Sequence, residues 1–458
     1  MSTESYFDMI VIGGGPAGTR AAFDSAEAGM KTALVEGGFL GGTCVNVGCI
    51  PTKYLLGGSA ALPLLAAQRK YKVAKGEAGI DFAALQARKE RFVKGTRQSL
   101  EKQLEQARIS LIKGRASFAG PSSLLVKGAD GGQTYAFGKC IVAAGSQPAS
   151  FPGLKPDGQT VLSSSSALAL QEVPESLIVV GGGAIGLELG EIFHRFGAKI
   201  ILAEGMPRLL PGEDPVVSEA VQAHFKREGW AIHTGRRISS LGTENGRSTL
   251  RFEDGEELSA AASLVAVGRR PCTAGLNPEA AGLSLHERGW LAADEHLLCG
   301  DNIYAVGDAN GRVLLAHAGD HQARYAAAHA AGKVSEPYAP PAMPSCVYGS
   351  FEVMRVGPTL AELAREGVRL AESRAPLSAN AIAQSYGHTQ GFVRMIWADD
   401  RLRAVSAVGH GVSHLVTAAA LLVARDTEKN NAAPVIFAHP TLDEVLEFAM
   451  VAPRENIQ

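Results

Sequence analysis

The segment Phe7–Gly18, FDMIVIGGGPAG, places a short apolar run directly against three spaced glycines, Gly13, Gly15 and Gly18. The next residues, AAFDSAEAGM, have helix-compatible spacing, and KTALVE then forms a second apolar run that ends in Glu36. This order of strand, glycine turn, helix, strand and acid is typical of a dinucleotide-binding unit. The glycines let the backbone approach a pyrophosphate, and the N-terminus of the helix offers it unpaired N–H groups.

The same pattern recurs in the middle of the chain, in ESLIVVGGGAIGLELGEIFHRFGAKIILAE. Its glycines are Gly181, Gly183 and Gly186, and its acid is Glu204. The first glycine and the acid are 23 residues apart in both copies, from 13 to 36 and from 181 to 204. One glycine pattern alone is a weak signal, because glycine turns are common. Two complete units with matching offsets predict two dinucleotide sites in an α/β fold.

The acid of the second copy favours NAD over NADP. A carboxylate at this strand end can accept hydrogen bonds from the ribose hydroxyls of an unphosphorylated adenosine, and it repels a 2′-phosphate. Arg208 is close in sequence, but no arginine lies directly at the strand end. The alternative is that Glu204 is an exposed acid without a binding role, which leaves the cofactor preference open.

The composition limits the class of protein. The chain has 458 residues, enough for two to four domains at about 100–200 residues each. Its net charge of -2, without long charged runs, argues against nucleic acid and anionic membrane as partners. We find no secretory signal pattern, and the apolar run Leu415–Ala424 is far shorter than the roughly 20 residues of a membrane-spanning helix. Six cysteines are few for this length and suit a reducing compartment, so we expect a cytoplasmic protein.

Two of the cysteines lie in the segment GGTCVNVGCIPTK, which contains Cys44 and Cys49. A single pair of this kind supplies only half of a zinc site, so no metal is expected. In a regular helix, residues five apart rise about 7.5 Å, which exceeds the Cα separation of roughly 4.4–6.8 Å that a disulfide tolerates. Gly41, Gly42 and Gly48 would permit the distortion that a bridge needs. A redox-active pair near a helix N-terminus is favoured, and two inert buried thiols are the alternative.

With these residues the chain resembles the flavin-dependent pyridine nucleotide–disulfide oxidoreductase family, over nearly its whole length, and within it the dihydrolipoamide dehydrogenases most. The segment with the two cysteines is very close to the family's redox-disulfide signature. The resemblance implies FAD at the first glycine turn, with Asp308 of YAVGDAN binding the ribityl chain, and NAD at the second. It also implies that Cys49 lies next to the flavin and that Cys44 exchanges with the substrate.

A base for this exchange is suggested by the segment FAHPTLDEVLEF, in which Glu444 follows five residues after His439. By itself this segment also fits a helix capping box formed by Thr441 and Glu444, a purely structural role. The resemblance implies that His439 is an acid/base oriented by Glu444, and that this pair completes the site of the other subunit of a homodimer. It implies in the same way that Lys53 lies near the flavin and pairs with Glu188. A surface lysine and a helix-face acid are the alternatives for these two residues.

Two further glycines, Gly145 and Gly268, follow apolar strands and are predicted to approach a cofactor. Four prolines within residues 335–344 predict a linker. After it, FVRMIWADDRLRAVSAVG, with Asp399 and Asp400 between β-rich flanks, predicts a hairpin, and SHLVTAAALLVARD predicts a helix. The expected organisation is therefore two Rossmann-like domains for FAD and NAD and an α+β dimerisation domain. Its predicted boundaries are 1–148 for the first part of the FAD domain, 149–272 for the NAD domain, 273–338 for the second part of the FAD domain, and 339–458 for the dimerisation domain.

The function implied by the resemblance is the NAD-linked oxidation of dihydrolipoamide to lipoamide, with docking on a 2-oxoacid dehydrogenase complex as a further implication. Departures from the family pattern keep the substrate open. Gly349 and Ser350 stand where a Thr-x-Pro stretch is usual, Ile382 where an arginine is frequent, and His414 where a glutamate is frequent. The alternatives are an NADH-dependent reductase of another small or protein disulfide, and a flavin-bearing redox sensor with little turnover.

Overall fold

A computed structural model of the chain describes residues 5–76, 79–129, 131–425, 427 and 435–457. The strands, in chain order, are β1 Ser5–Ile12, β2 Thr32–Glu36, β3 Ser110–Lys113, β4 Arg115–Gly120, β5 Ser123–Gly128, β6 Gly131–Val142, β7 Ser146–Pro148, β8 Val161–Ser163, β9 Ser176–Val180, β10 Lys199–Glu204, β11 Ala231–Thr234, β12 Ile238–Glu244, β13 Arg247–Phe252, β14 Glu257–Ala260, β15 Ala262–Val265, β16 Arg269–Pro271, β17 Leu298–Gly300, β18 Ile303–Ala305, β19 Pro344–Val347, β20 Glu352–Val356, β21 Leu370–Pro376, β22 Gly391–Ala398, β23 Arg401–Gly409 and β24 Glu455–Ile457. The α-helices are α1 Pro16–Glu27, α2 Gly42–Val47, α3 Cys49–Gly58, α4 Ala61–Lys70, α5 Phe82–Gln106, α6 Ser164–Leu168, α7 Ala184–Arg195, α8 Pro215–Arg227, α9 Ala316–Ala330, α10 Leu360–Leu363, α11 Ala381–Tyr386, α12 Val416–Ala424 and α13 Glu444–Val451.

The described residues form two compact units. The first unit takes its residues from Met1–Thr52, Ala87–Ala149 and Gly268–Pro340, and the second from Lys53–Gln86, Ser150–Val267 and Pro341–Gln458. Both units are assembled from segments that are distant in sequence. Helix α3 begins in the first unit and continues in the second.

The first unit is built on a mixed sheet with the strand order β17-β18-β6-β1-β2-β3. Strand β1 lies between β6 and β2 and runs parallel to both. Its residues 9–11 are 0% exposed, as expected for a parallel strand with both faces covered. Strands β4 and β5 extend the sheet beside β6 as an antiparallel hairpin. The strand that carries the first glycine turn is therefore central and rigidly held.

The second unit contains an analogous parallel sheet with the order β11-β10-β9-β15-β8. Strand β9, which leads into the second glycine turn, is buried along its whole length. An antiparallel sheet of β12, β13 and β14 accompanies it. Both predicted repeats thus form strand–turn–helix–strand units, and the prediction of two Rossmann-like folds is confirmed.

The C-terminal part of the second unit is an antiparallel sheet with the order β19-β20-β23-β22-β21-β24. The predicted hairpin joins β22 to β23 through Asp399 and Asp400, whose φ angles of 48° and 65° are typical of a tight hairpin turn. Helices α12 and α13 pack with this sheet around a core that includes the buried Trp397. The prediction of a C-terminal α+β domain is confirmed. None of the described helices is long and apolar enough to span a bilayer.

Candidate active site

The first glycine turn is held together by a close approach of backbone to backbone. Gly13 has a φ of 102°, and a Cβ atom on Gly18 would lie 1.7 Å from the carbonyl oxygen of Gly13. The second turn repeats this arrangement: Gly181 has a φ of 107°, and a Cβ on Gly186 would lie 2.0 Å from its carbonyl oxygen. Glycine is therefore required at all four positions: at Gly13 and Gly181 by the positive φ, and at Gly18 and Gly186 by close packing within the turn.

The middle glycines have a different environment. A Cβ on Gly15 would meet only Gly42, at 3.9 Å, and a Cβ on Gly183 would meet nothing within 4 Å. Each of these glycines is the N-cap of a twelve-residue helix, and no side chain caps either helix. The space above each helix N-terminus and its backbone N–H donors fit a pyrophosphate. The residues present therefore fit a dinucleotide at both turns.

The two predicted acids make matching hydrogen bonds. Glu36 accepts from the backbone N–H of Gly14 at 2.6 Å and of Gly38 at 2.6 Å. Glu204 accepts from the backbone N–H of Gly182 at 2.7 Å and from that of Met206, also at 2.7 Å. Each carboxylate is thus fixed at the end of the second strand, where the ribose of a bound dinucleotide is expected.

Asp308 lies in a 3₁₀ turn, Gly307–Asn310, directly after strand β18. The Ser146 hydroxyl donates to its carboxylate, and the Arg269 guanidinium donates to the Ser146 hydroxyl at 2.6 Å and to the Ser146 carbonyl at 2.6 Å. The Arg269 Nε atom lies 3.7 Å from the Asp308 carboxylate. Ser146 and Arg269 therefore orient the predicted ribityl-binding acid, and neither was singled out by the sequence patterns.

Gly145 and Gly268 lie beside this network, at the ends of two facing segments. Their φ angles are 73° and 113°, a region that favours glycine, and a Cβ on either would meet no atom within 4 Å. The backbone of Gly145 accepts a hydrogen bond from Cys272, and that of Gly268 accepts one from Ala149. Both glycines thus turn the chain into the antiparallel pair of β7 and β16.

The two cysteines of the redox segment lie on either side of a break in the helix. Cys44 is half-buried within α2, and Cys49 is exposed at the first residue of α3. Gly48 separates the two helices with φ -144° and ψ -116°. A Cβ there would lie 2.8 Å from the Thr43 carbonyl oxygen. The predicted distortion is therefore present, at one of the glycines named for it.

Lys53 and Glu188 form an ion pair of 2.6 Å within the second unit. The Glu188 side chain is only 7% exposed, and burial raises the pKa of its carboxyl although Lys53 opposes that shift. Its second oxygen accepts the backbone N–H of Tyr348 at 3.0 Å, and the Lys53 ammonium lies 4.6 Å from the centre of the Tyr348 ring. Burial also raises the pKa of the Tyr348 hydroxyl to about 12. Tyr348 is thus a third member of this cluster.

His439 and Glu444 are in direct contact, with 2.8 Å between the histidine Nδ1 and a glutamate oxygen. The side chain of His439 is 77% exposed, and the hydrogen bond from His439 lowers the pKa of Glu444. Glu444 also accepts the N–H of Thr441 at 2.9 Å, which is one half of a capping box. The other half is missing, because the Thr441 hydroxyl donates to Ala438 and α13 is preceded by Asp443 as N-cap.

The candidate residues divide between the two units. The first unit holds the first glycine turn, both cysteines and Asp308, and the second holds the second glycine turn, Lys53 with Glu188, and His439 with Glu444. The missed residues Ser146, Arg269 and Tyr348 carry no spacing signal, because each acts through partners far away in sequence. Among the described residues, no group of three or more His, Cys, Asp or Glu side chains is arranged to hold a metal ion.

The family model of the pyridine nucleotide-disulphide oxidoreductases matches residues 7–332, and the model of their dimerisation domain matches residues 343–450. The chain belongs to this family. It is accordingly a flavoprotein disulfide oxidoreductase that uses FAD and NAD(H), and it carries the family's dimerisation domain. The expected fold class, cofactors and enzyme class are confirmed.

Curated relatives align with the chain over nearly its whole length. The dihydrolipoyl dehydrogenase of Chlorobaculum parvum is 35% identical over 465 aligned residues, which cover 99% of this chain and 98% of the relative. That of Trypanosoma brucei brucei is 36% identical and covers 97% of this chain and 96% of its own length. Among solved structures, the HOCl-induced flavoprotein disulfide reductase RclA from Escherichia coli is 26% identical with a TM-score of 0.86, over 97% of this chain and 99% of that one.

Proposed function

We propose that this oxidoreductase oxidises a dihydrolipoyl dithiol to the cyclic disulfide and passes the electrons to NAD⁺. The observation that carries the proposal is the interruption of the helix at Gly48, between Cys44 and Cys49. A continuous helix would keep the two residues too far apart for a disulfide, and the break removes that obstacle. The relatives named dihydrolipoyl dehydrogenase support the choice of dithiol.

The proposed exchange uses Cys44 as the sulfur that meets the substrate. One substrate sulfur attacks Cys44 Sγ, the Cys44–Cys49 bond breaks, and Cys49 leaves as a thiolate. The second substrate sulfur then attacks the first, which closes the substrate disulfide and releases Cys44 as a thiol. FAD, when bound at the first glycine turn, would supply the two-electron acceptor between the reduced cysteines and NAD⁺. The balance is dithiol plus NAD⁺ to disulfide, NADH and one proton.

The attacking sulfur must lose its proton, and we assign its acceptor to His439 of the partner subunit in a homodimer. The exposed ring of His439 is held at Nδ1 by Glu444, which leaves Nε2 for the substrate thiol. A carboxylate at Nδ1 stabilises the imidazolium that forms. The family's dimerisation domain at residues 343–450, which contains both residues, supports this assignment.

Five finer assignments complete the proposal. The ion pair with the buried Glu188 supports a role for Lys53 in placing a positive charge beside the flavin. The fixed carboxylate of Glu204 supports NAD rather than NADP as acceptor. The domain boundaries 1–148, 149–272, 273–338 and 339–458, a cytoplasmic location and docking on a 2-oxoacid dehydrogenase complex also belong to the proposal.

The test is steady-state oxidation of dihydrolipoamide with NAD⁺ by the FAD-loaded enzyme and by Cys44→Ser and Cys49→Ser. We expect each substitution to lower kcat by at least about 1,000-fold, because neither serine can form the disulfide. Cys299→Ser is the matched control: Cys299 is half-buried, packs in the core of the first unit, and its thiol donates to the Ile303 carbonyl. A Cys49→Ser variant that retains turnover would refute the mechanism.

A second candidate is an NADH-dependent reductase of a different disulfide. The similarity to a flavoprotein disulfide reductase and the departures at Gly349, Ser350, Ile382 and His414 favour it. NADH oxidation should then be measured with lipoamide, glutathione disulfide and oxidised thioredoxin at equal concentration. A kcat/KM for lipoamide at least about tenfold above the others supports the first proposal, and the reverse order supports the second.

A further inference from the structure

Helix α7 carries a second buried carboxylate, Glu191, one helical turn beyond Glu188. Glu191 is 3% exposed and forms an ion pair of 2.5 Å with Arg195, whose side chain is 6% exposed. Arg195 also donates to the Leu56 carbonyl at 2.8 Å and to the Ser59 hydroxyl at 3.1 Å. Buried charges of this kind are retained only where they are paired and fully hydrogen-bonded. The pair therefore constitutes a built polar site in the second unit.

The carboxylate of Glu191 is directed at the chain that follows strand β19. Its Oε1 atom accepts two hydrogen bonds from Arg195, at 2.5 and 3.0 Å, and one from the backbone N–H of Ser350, at 2.6 Å. Its Oε2 atom occupies the place of a side chain at Gly349, because a Cβ there would lie 2.1 Å away. Gly349 and Glu191 are thus mutually dependent: any larger residue at 349 would displace the carboxylate.

The same backbone segment holds the Lys53 cluster. Alternate backbone N–H groups, of Tyr348 and Ser350, donate to Glu188 and Glu191 respectively. Tyr348 in turn places its ring 4.6 Å from the Lys53 ammonium. The two carboxylates lie on the same face of α7 because they are three residues apart. Helix α7 therefore accepts hydrogen bonds from the segment at two residues, Glu188 and Glu191. Of these two, Glu188 is the one that pairs with Lys53.

We propose that Glu191, together with Gly349, is a positioning residue for the reaction, which fixes the Tyr348–Ser350 segment so that Glu188 and Tyr348 hold the Lys53 ammonium in place. This inference rests on the proposed role of Lys53 beside the flavin. It also gives a reason for the departure at Gly349: the glycine accommodates the Glu191 carboxylate. Glu191 contacts neither substrate nor flavin in this scheme and acts through the segment.

The test measures the midpoint potential of the bound flavin, a quantity that needs no dithiol substrate. Lys53→Met is expected to lower the potential, since a nearby cation stabilises the reduced, more negative flavin. Glu191→Leu should reproduce about half of that shift or more, and should add nothing to it in the Lys53→Met background. Glu191→Gln keeps an Oε1 acceptor for Arg195 and Ser350, so its potential should stay at the wild-type value.

The outcomes separate this inference from the proposed function. A shift in Lys53→Met that Glu191→Leu fails to reproduce, or two shifts that add, overturns the inference alone. An unchanged potential in Lys53→Met overturns both the role of Lys53 and the inference. A wild-type preference for a disulfide other than lipoamide would overturn the proposed substrate and would leave both flavin-potential results unaffected.

Gly349→Ala provides a second route if Glu191→Leu does not fold. The added methyl group should lower Tm and shift the flavin potential in the wild-type background, because it displaces the Glu191 carboxylate. In a Glu191→Ser background the methyl group has room, and both effects of Gly349→Ala should fall to about a third or less. Equal effects in the two backgrounds would show that residues 191 and 349 are not coupled.

Discussion

The two glycine turns share the same backbone construction in detail. In each, the first glycine has a left-handed φ, the third packs on the carbonyl of the first, and the acid accepts the N–H of the glycine between the first two. The loops after the two acids also bind the glycine turns in the same way. The N–H of Gly41 donates to the Gly14 carbonyl at 2.7 Å, and the N–H of Leu210 donates to the Gly182 carbonyl at 2.9 Å. The two turns are therefore equivalent as cradles for a pyrophosphate.

The helices that follow the turns are different. Seven residues after the first glycine, α1 carries Arg20, which pairs with Asp24 and Asp320 at about one-third exposure. The corresponding residue of α7 is the buried Glu188, and three residues later α7 has Glu191 where α1 has Phe23. The two turns thus share one backbone construction, whereas the helices after them carry different polar groups: partly exposed ion pairs on α1 and buried carboxylates on α7.

The largest expected effect comes from the third glycine of each turn. Gly18→Ala should abolish FAD retention and destabilise the first unit by about 3 kcal/mol, because its Cβ would lie 1.7 Å from the Gly13 carbonyl oxygen. Gly186→Ala should instead retain FAD and lower NADH oxidation by at least about 100-fold. Absorbance at the flavin band per mole of protein, together with NADH turnover, distinguishes the two variants.

A control for these variants is Gly95→Ala, since a Cβ at Gly95 would meet nothing within 4 Å and the residue lies inside helix α5. It should leave both cofactors bound and raise Tm slightly, as expected for alanine in a helix. If Gly18→Ala and Gly186→Ala lost both cofactors to the same extent, the two turns would not serve separate sites.

The next largest effect is expected for the ion pairs of the two corresponding helix residues, Glu188 on α7 and Arg20 on α1. Lys53→Met leaves the buried Glu188 carboxylate without its cation and should lower the free energy of unfolding by about 2 kcal/mol. This loss is smaller than for a fully buried pair because Lys53 is 36% exposed. Arg20→Met breaks pairs whose carboxylates are more exposed, at 22% and 33% against 7% for Glu188, and should lower the free energy of unfolding by less than about 1 kcal/mol. Thermal unfolding followed by circular dichroism measures both. Equal losses would mean that burial of the α7 carboxylate has no energetic consequence.

The cost of Lys53→Met should depend on pH. Burial raises the pKa of Glu188 above its ordinary value and Lys53 opposes this shift, so removal of Lys53 raises that pKa further. A carboxyl with a raised pKa in the folded state contributes stability at low pH that is lost as the pH rises through that pKa. The difference in Tm between variant and wild type should therefore grow as the pH rises from below the ordinary carboxyl pKa through the raised pKa of Glu188. A constant difference would exclude ionised Glu188 as its cause.

The smallest effect concerns the matching acids. Glu204→Gln should raise KM for NADH about fivefold and lower KM for NADPH, since the repulsion of a 2′-phosphate is removed. Glu36→Gln is the matched variant of the other turn: it should leave KM for NADH within about twofold and speed the loss of FAD. If Glu36→Gln changed the discrimination between NADH and NADPH, the assignment of FAD to the first turn and NAD to the second would be wrong.

Short-range patterns predicted the backbone elements well. The spacing of glycines and apolar runs predicted both turns and the strands beside them, and the acid pair Asp399 and Asp400 predicted the C-terminal hairpin. These features depend on steric rules that involve a few neighbouring residues. The contacts that orient Asp308 did not follow from any pattern, because Ser146 and Arg269 are 162 and 39 residues away along the chain.

The sequence by itself predicted that this chain binds two dinucleotides, and it showed that glycines near Cys44 and Cys49 would permit the helix distortion that a disulfide needs. Only the tertiary structure decided that α7 buries two carboxylates, that Tyr348 and Ser350 donate to them, and that Gly349 leaves room for Glu191. The physical reason is the range of the interactions. Backbone conformation is set by adjacent residues, whereas the burial and pairing of a charge depend on which distant segments the fold brings against it.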